Sequence, residues 1–345
     1  MKLKIGIAGL GRGRTWVNNF STHKQSEVVA VCDMDTDRLA QYPTEVSKYG
    51  DYEKFLKHEL DVVVICTPLP EHIKHTIAAL EGGKHVLCEV PAVNTLEECK
   101  QVVQTVEKTG LKYMLAENSC YSDMNLAWKE KIDGDELGKI LYAEAEYVHD
   151  CRGIMRHPDG SLTWRASMPP IHYCTHSLGP LLFLLEDRCV SVTGLSTGSN
   201  IAPELGAIDL EVGLFKTERG TIIKILCGFS IERHPSFHWY VVYGTKGALE
   251  SQRRYKGSGR GYLQEIAPER EMIPHEIDTN AHGTAEGRIA DGFIQSIIND
   301  TKPPIDVYEA MDYTAPGICA HLSSELDSDT VQIPNFRDSS SIGIR

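Results

Sequence analysis

No apolar run in this chain approaches the roughly 18 to 20 residues that a membrane helix needs, so a spanning segment is not expected. The opening stretch, MKLKIGIAGLG, is interrupted by glycines and lacks a small-residue cleavage site. It reads as a first strand and not as a signal peptide. Basic residues are outnumbered, 35 Lys and Arg against 48 Asp and Glu, giving a net charge of -13. Phosphate neutralisation needs clustered cations, so nucleic acid is not expected as the main partner. The ten cysteines include no CxxC pair, and Cys66, Cys88 and Cys227 sit in apolar strand-like runs. They read as buried reduced thiols of a cytoplasmic protein, neither a disulfide framework nor a zinc site. Internal repeats, low-complexity tracts and flexible linkers are missing as well.

What is there is an ordinary globular composition, 41% hydrophobic and 24% charged, over 345 residues. That length exceeds what one core usually spans and predicts two domains. Over residues 1–120, the apolar runs KIGIAG, EVVAVCD, DVVVICT, HVLCE and KYMLAEN alternate with helix-like segments at 13–22, 36–48, 71–82 and 95–109. Strands alternating with helices and apolar on both faces predict an α/β Rossmann domain, a doubly wound parallel sheet. After residue 120 the pattern changes. A helix is expected from Tyr121 to Asp133, then KILYAEAEYVHD as a long strand. Hairpins follow around Glu218-Arg219-Gly220 and around Gly244 to Gly247, with late helices at 284–299 and 306–326. Residues 121–345 therefore predict an α+β domain on a large, mostly antiparallel open sheet. The last helix could pack back on the first domain. The polar end RDSSSIGIR reads as a loose or interface-bound tail.

Gly9, Gly11, Arg12 and Gly13 follow the first strand and open a helix. Glycines let backbone N–H groups approach a pyrophosphate, and the helix N-terminus favours the anion. The strict third glycine of GxGxxG would fall at position 14, where Arg stands, so the match is imperfect. The second strand ends on Asp33, which can accept both ribose hydroxyls and repel a 2′-phosphate, favouring NAD over NADP. A glycine turn in a non-nucleotide α/β fold is the alternative. Thr67-Pro68 with His72, and Glu89-Val90-Pro91, fall at strand C-terminal ends, where ligands of open α/β sheets bind. Each could instead be a plain turn into the next helix.

A second constellation lies beyond residue 140. Tyr147 and His149 share one face of a strand. Tyr173 and His176 share a helix face if the helix preceding LLFLL has begun. Histidine and tyrosine suit proton transfer, though both pairs could also be ordinary surface or hydrogen-bonded side chains. His149, Asp150, His172 and His176 offer metal-ligand types but no familiar spacing, so no metal is expected.

Together, the glycine loop, VCDMD, the CTPxxxH turn, the Glu-x-Pro turn and the Gly-Thr-x-Gly hairpin resemble the glucose-fructose oxidoreductase / inositol dehydrogenase / MocA family. The resemblance covers most of the chain and implies NAD as cofactor, an open sheet often used for oligomerisation, and a dimer or tetramer as assembly. One departure matters: the family's sugar dehydrogenases carry a catalytic lysine inside Glu-Lys-Pro, and here position 90 is Val. HVLCEVPA, ENSCY, HYCTHSLGPL and VYEAMDYTAPG are similar to the NAD-dependent glycosidase branch, such as the α-N-acetylgalactosaminidases. That branch implies hydride removal at sugar C3, acidification of the C2 proton, loss of the C1 group, water addition and hydride return. It implies catalytic roles for Tyr173 and His176 and places His149 along the sugar. Asn118, in ENSCY, is expected beside the cofactor and Tyr147 as a wall of the substrate pocket; the face of Trp164 can stack on a sugar ring, and Arg165 can bind hydroxyls or a carboxylate. The loop from Arg165 to Tyr173 is shorter than expected for that branch. Two other readings stay open: a conventional NAD-dependent sugar or cyclitol dehydrogenase with His176 as base, and a silent NAD-binding sensor.

Overall fold

The computed structural model describes residues 2–231, 238–252, 259–263, 273–275 and 284–338. Its first sheet is built by β1 (Leu3–Ala8), β2 (Ser26–Cys32), β3 (Ser47–Tyr49), β4 (Val62–Ile65), β5 (His85–Cys88) and β6 (Tyr113–Leu115). The order is β3-β2-β1-β4-β5-β6, and every pairing is parallel. The helices between them are α1 (Leu10–Thr22), α2 (Thr36–Ala40), α3 (Tyr52–Leu56), α4 (Leu69–Glu81) and α5 (Leu96–Thr109). All four residues of β4 are wholly buried, as a central strand covered on both faces requires. Local chemistry sets the ends. Thr95 and Glu98 form a reciprocal capping box on α5, and Gly110 closes it in the left-handed region.

The expected helix over 36–48 is the main local error. It ends at Ala40, and 47–49 form edge strand β3. Pro43 accounts for this: it disfavours helical backbone at Tyr42 and removes a donor from any continuing turn.

The second sheet holds nine strands: β7 (Ile140–Val148), β8 (Cys189–Ser196), β9 (Leu210–Thr217), β10 (Ile222–Gly228), β11 (His238–Gly244), β12 (Gly247–Glu250), β13 (Gly259–Leu263), β14 (Ile273–His275) and β15 (Val331–Gln332). Their order is β14-β13-β12-β11-β7-β10-β9-β8-β15, antiparallel except for β7 with β10. Both expected hairpins form, β9 to β10 and β11 to β12, with Gly220 at φ +89° in the first. The strand β8 was not anticipated. Alternation separates the faces: Ala143, Ala145, Ile223, Ile225 and Cys227 are buried, while Glu144 and Lys224 pair on the other face. The helices here are α6 (Asp123–Asp133), the single turn α7 (Trp164–Ser167) and α8 (Thr175–Leu185); α9 (Thr284–Ile298) and α10 (Val307–Glu325) come last.

The chain divides into two compact units. The first takes residues up to Asn118 together with α9, the first residues of α10 and the stretch from Phe336; the second takes Ser119 onward and α10 from Asp312. The expectation that 121–345 form one block thus differs at α9, which packs on α1, with Gln295 bonded to Gln25 and Asp291 to His23. Part of the C-terminal tail, 339–345, lies outside the described residues.

Candidate active site

In the first unit, β1 runs into Gly9 at φ +88°, and α1 begins at Leu10. A Cβ on Gly9 would lie 2.4 Å from the Cys66 carbonyl oxygen, and one on Gly13 would lie 2.9 Å from Ile7. The chain therefore needs glycine at both positions to bring the turn against the ends of β1 and β4. Gly11 is roomier, with Arg38 at 3.5 Å. The N-cap residue of α1, Gly9, has no side chain to cap it, and the first turn holds no acid, so the amides beyond Leu10 stay suited to an anion. Asp33 stands just past β2. It accepts the Leu10 N–H at 2.6 Å and the Asp35 N–H at 2.9 Å, with Arg38 at 3.5 Å. Beside it opens a cavity of about 180 Å³ lined by Leu10, Gly11, Arg14, Arg38, Gln41 and Tyr42.

Arg12 turns into a carboxylate network. Its Nε donates to Glu89 at 2.8 Å and its Nη2 to Glu286 at 2.8 Å. Although burial opposes the charge, Glu89 and Glu286 hold the guanidinium well above its ordinary pKa. Trp16 donates to the same Glu89 oxygen at 2.7 Å, and Asn118 donates to Glu286 at 3.2 Å. Arg12, Glu89 and Asn118 are thus brought together. Glu286, fully buried on α9, is the member that sequence reasoning missed. Thr67 and Pro68 lead into α4, with Thr67 Oγ1 at 3.0 Å from His75. His72 is only 2% exposed and points inward: its nitrogens lie 3.0 Å from the Pro91 carbonyl and 2.8 Å from the Thr67 carbonyl. Burial opposes a charge there, but the Cys88 sulfur and the two carbonyls raise its pKa to about 9. It ties the two turns together from behind. Val90 is buried and carries no proton.

In the second unit, a three-ten turn, Pro170–Tyr173, delivers Tyr173 immediately before α8, and His176 sits in the first turn of α8. The tight approach of α10 supports that turn, since a Cβ on Gly317 would lie 2.4 Å from the Ile171 oxygen. The rings of Tyr173 and His176 are 5.1 Å apart, and both surround Tyr147, at 5.7 and 5.5 Å. His149, one residue past β7, is 6.3 Å from Tyr147, with its Nδ1 at 3.5 Å from Cys151 Sγ. His176 Nδ1 lies 3.3 Å from Ser119 Oγ. Two members went unforeseen: Phe229, 6.0 Å from Tyr147, and His238, 4.7 Å from it. Trp164 and Arg165 share the short α7, where the guanidinium lies 4.4 Å over the Trp164 ring. Among the described residues, no three His, Cys, Asp or Glu side chains gather as metal ligands, and no helix is long and apolar enough to cross a membrane.

A parallel sheet in the 3-2-1-4-5-6 order, a glycine turn that admits no Cβ, and an acid closing the second strand define a dinucleotide-binding protein of the Rossmann type. Residues 3–117 match the GFO_IDH_MocA family, described as "Oxidoreductase family, NAD-binding Rossmann fold", and residues 126–250 match its "GFO/IDH/MocA C-terminal domain". The chain belongs to this oxidoreductase family, and its cofactor is NAD. A "Glycosyl hydrolase family 109 protein" of Solibacter usitatus is 26% identical over 97% of this chain and 88% of its own length. One from Streptomyces niveus is 26% identical over 97% of this chain and 77% of its own length. Among solved structures, an oxidoreductase domain protein from Kribbella flavida superposes with a TM-score of 0.82 at 18% identity, covering 97% of this chain and 100% of its own. The scyllo-inositol dehydrogenase of Lactobacillus casei, solved with NAD(H) and scyllo-inositol, gives 0.77 at 19%, covering 96% and 99%. These structures establish the shared fold.

Proposed function

We infer that this chain is an NAD-dependent sugar-processing enzyme that cleaves a glycoside without net oxidation. The observation that carries the reading is the gathering of Tyr147, Tyr173, His176 and His149 around one point of the second unit. Val90 separates the reading from an ordinary dehydrogenase, because no lysine stands in the Glu-x-Pro turn. The relatives named as glycosyl hydrolases, matched over nearly the whole chain, support it.

Gly9, Gly11, Gly13 and Asp33 would hold NAD, which would supply reversible hydride exchange with the sugar. The chain's own residues do the rest. We assign proton transfer to the Tyr173 hydroxyl and to Nε2 of His176, whose Nδ1 faces Ser119. His149 and Tyr147 line the sugar. Arg12, Glu89, Glu286 and Asn118 brace the cofactor turns rather than reach out from them. Trp164 and Arg165 are assigned as outer substrate contacts. The open face of the nine-stranded sheet, where Leu214 is 49%, Ile222 40% and Tyr243 48% exposed, supports a homo-oligomer. Ten cysteines, eight of them buried, support a cytoplasmic setting.

The test is denaturing extraction of the purified protein with the released cofactor quantified, followed by assay on p-nitrophenyl α-N-acetylgalactosaminide and other aryl glycosides. Near-stoichiometric NAD and glycoside cleavage with no accumulation of NADH are expected. Reversibly bound NAD that is reduced by free sugars or cyclitols would replace this reading with the dehydrogenase one.

A further inference from the structure

Two turns of the first unit follow neighbouring strands: Thr67-Pro68 after β4, and Glu89-Val90-Pro91 after β5. His72, in the first turn of α4, is buried between them. Its Nε2 lies 2.8 Å from the Thr67 carbonyl oxygen and its Nδ1 3.0 Å from the Pro91 carbonyl oxygen. Carbonyl oxygens only accept, and a neutral imidazole has a single N–H. In either neutral tautomer one ring nitrogen would therefore turn its lone pair on a carbonyl oxygen at hydrogen-bonding distance, a repulsion that burial strengthens. A ring protonated on both nitrogens donates to both carbonyls. Pro91 is itself buried, and among the described residues no backbone amide reaches its carbonyl, so His72 is what satisfies it.

The groups around the ring fit that state. Cys88 Sγ, on β5, lies 3.6 Å from the same Nδ1 and is a further acceptor on that side. A Cys88 S–H given to a bare Nδ1 would leave the Pro91 oxygen facing that nitrogen with no proton between them. Tyr113, on β6, faces the same thiol, and burial raises its pKa, so it is uncharged at neutral pH. His75, three residues on along α4, is pushed down to about 4 by burial and then by Lys74 and His72, so it adds no repelling charge near neutrality. Burial opposes a cation at His72, as does the N-terminus of α4, but the Cys88 sulfur and the two carbonyls outweigh them and hold the ring at about 9. We propose that His72 is a positioning residue of the cofactor site, an imidazolium at neutral pH whose two N–H groups clamp the turn after β4 and the turn after β5. Thr67, Pro68 and Glu89 stand on those turns, so losing one proton releases one turn and loosens NAD. This role concerns NAD retention alone and holds for a glycosidase and a dehydrogenase equally.

The proton count is read in the full chain labelled with 15N-histidine and loaded with NAD. Long-range nitrogen–proton spectra distinguish a doubly protonated ring from either neutral tautomer. The His72→Gln protein identifies the His72 signals by their loss, and Cys88→Ala identifies them a second time by shifting them. At about pH 7.5, where an ordinary histidine near ~6.5 is neutral, both His72 nitrogens should carry a proton. A bare nitrogen at that pH overturns the proposal. NAD retention is followed by exchange of bound NAD for isotope-labelled NAD, which needs no turnover. In the unaltered protein, raising the pH from about 7.5 to about 9.5 should speed the exchange about tenfold as the ring loses its second proton and one charge-assisted bond. His72→Gln, whose amide keeps two N–H donors without a titrating proton, should exchange at the same rate at both pH values. An exchange rate that stays constant in the unaltered protein while the spectra show the proton leaving overturns the clamp. A rise of equal size in His72→Gln assigns the pH dependence to another group and overturns it as well.

Discussion

His172 is 8% exposed, and neither ring nitrogen has a hydrogen-bond partner among the described residues. Burial first, and then repulsion from His321, whose ring is 5.4 Å away, pushes its pKa down to about 3. The unfolded chain holds the same group near ~6.5. Below that pH the unfolded state binds a proton that the folded state refuses, so this residue lowers stability progressively as the pH falls toward 3. At about pH 4.5 the difference amounts to roughly 2 to 3 kcal/mol. His321 works in the opposite sense. Burial lowers its pKa, but the Glu211 carboxylate 2.7 Å away, helped by Glu325, raises it overall. Its contribution is therefore fully present below ~6.5 and lost as the pH rises through the raised value, which partly masks His172 in the parent protein. The variant His172→Leu removes the penalty while keeping a side chain of similar size. Urea unfolding at about pH 7.5 and pH 4.5 should show the parent losing roughly 2 to 3 kcal/mol more than the variant between the two conditions. Equal losses in both proteins would refute the reasoning.

The remaining predictions concern the cofactor and proton-transfer groups. Gly9→Ala places a methyl 2.4 Å from the Cys66 oxygen at a φ of +88°; it should lower stability by about 1 to 3 kcal/mol and abolish co-purifying NAD, read by thermal unfolding and cofactor extraction. Asp33→Ser should weaken NAD relative to NADP in binding titrations, and an unchanged ratio would argue against a ribose role. His176→Ala should reduce turnover by ~100-fold or more, as for a lost acid or base; an unaltered kcat would remove His176 from the mechanism.

Much of the first unit was legible from local pattern. Apolar runs bounded by turn residues give β1, β2, β4 and β5, and a glycine that would collide through its Cβ is recognisable because strand, turn, helix and acid follow one another between Leu3 and Asp33. The alternation in β9 and β10 and the glycine at 220 likewise announce their hairpin locally. Tyr147 with His149, and Tyr173 with His176, were reachable because the members of each pair are only two or three residues apart, although Tyr173 lies in a three-ten turn before α8 and His149 just past β7. The helix expected over 36–48 failed where Pro43 outweighed the propensity of its neighbours.

What the sequence alone determined is therefore whatever short-range geometry can encode: the element types, the glycine turn and the two aromatic–imidazole pairs. Only the tertiary structure decided that Arg12 spends its charge on Glu89 and Glu286, that His72 faces inward, and that His238 joins Tyr147 across a strand pair. Glu286 lies 274 residues from Arg12, and Tyr240 lies 64 from the His176 carbonyl it serves. At such separations no periodicity survives to mark a partner. Each pairing is instead selected by which buried polar group would otherwise go unsatisfied once the sheets and helices have packed.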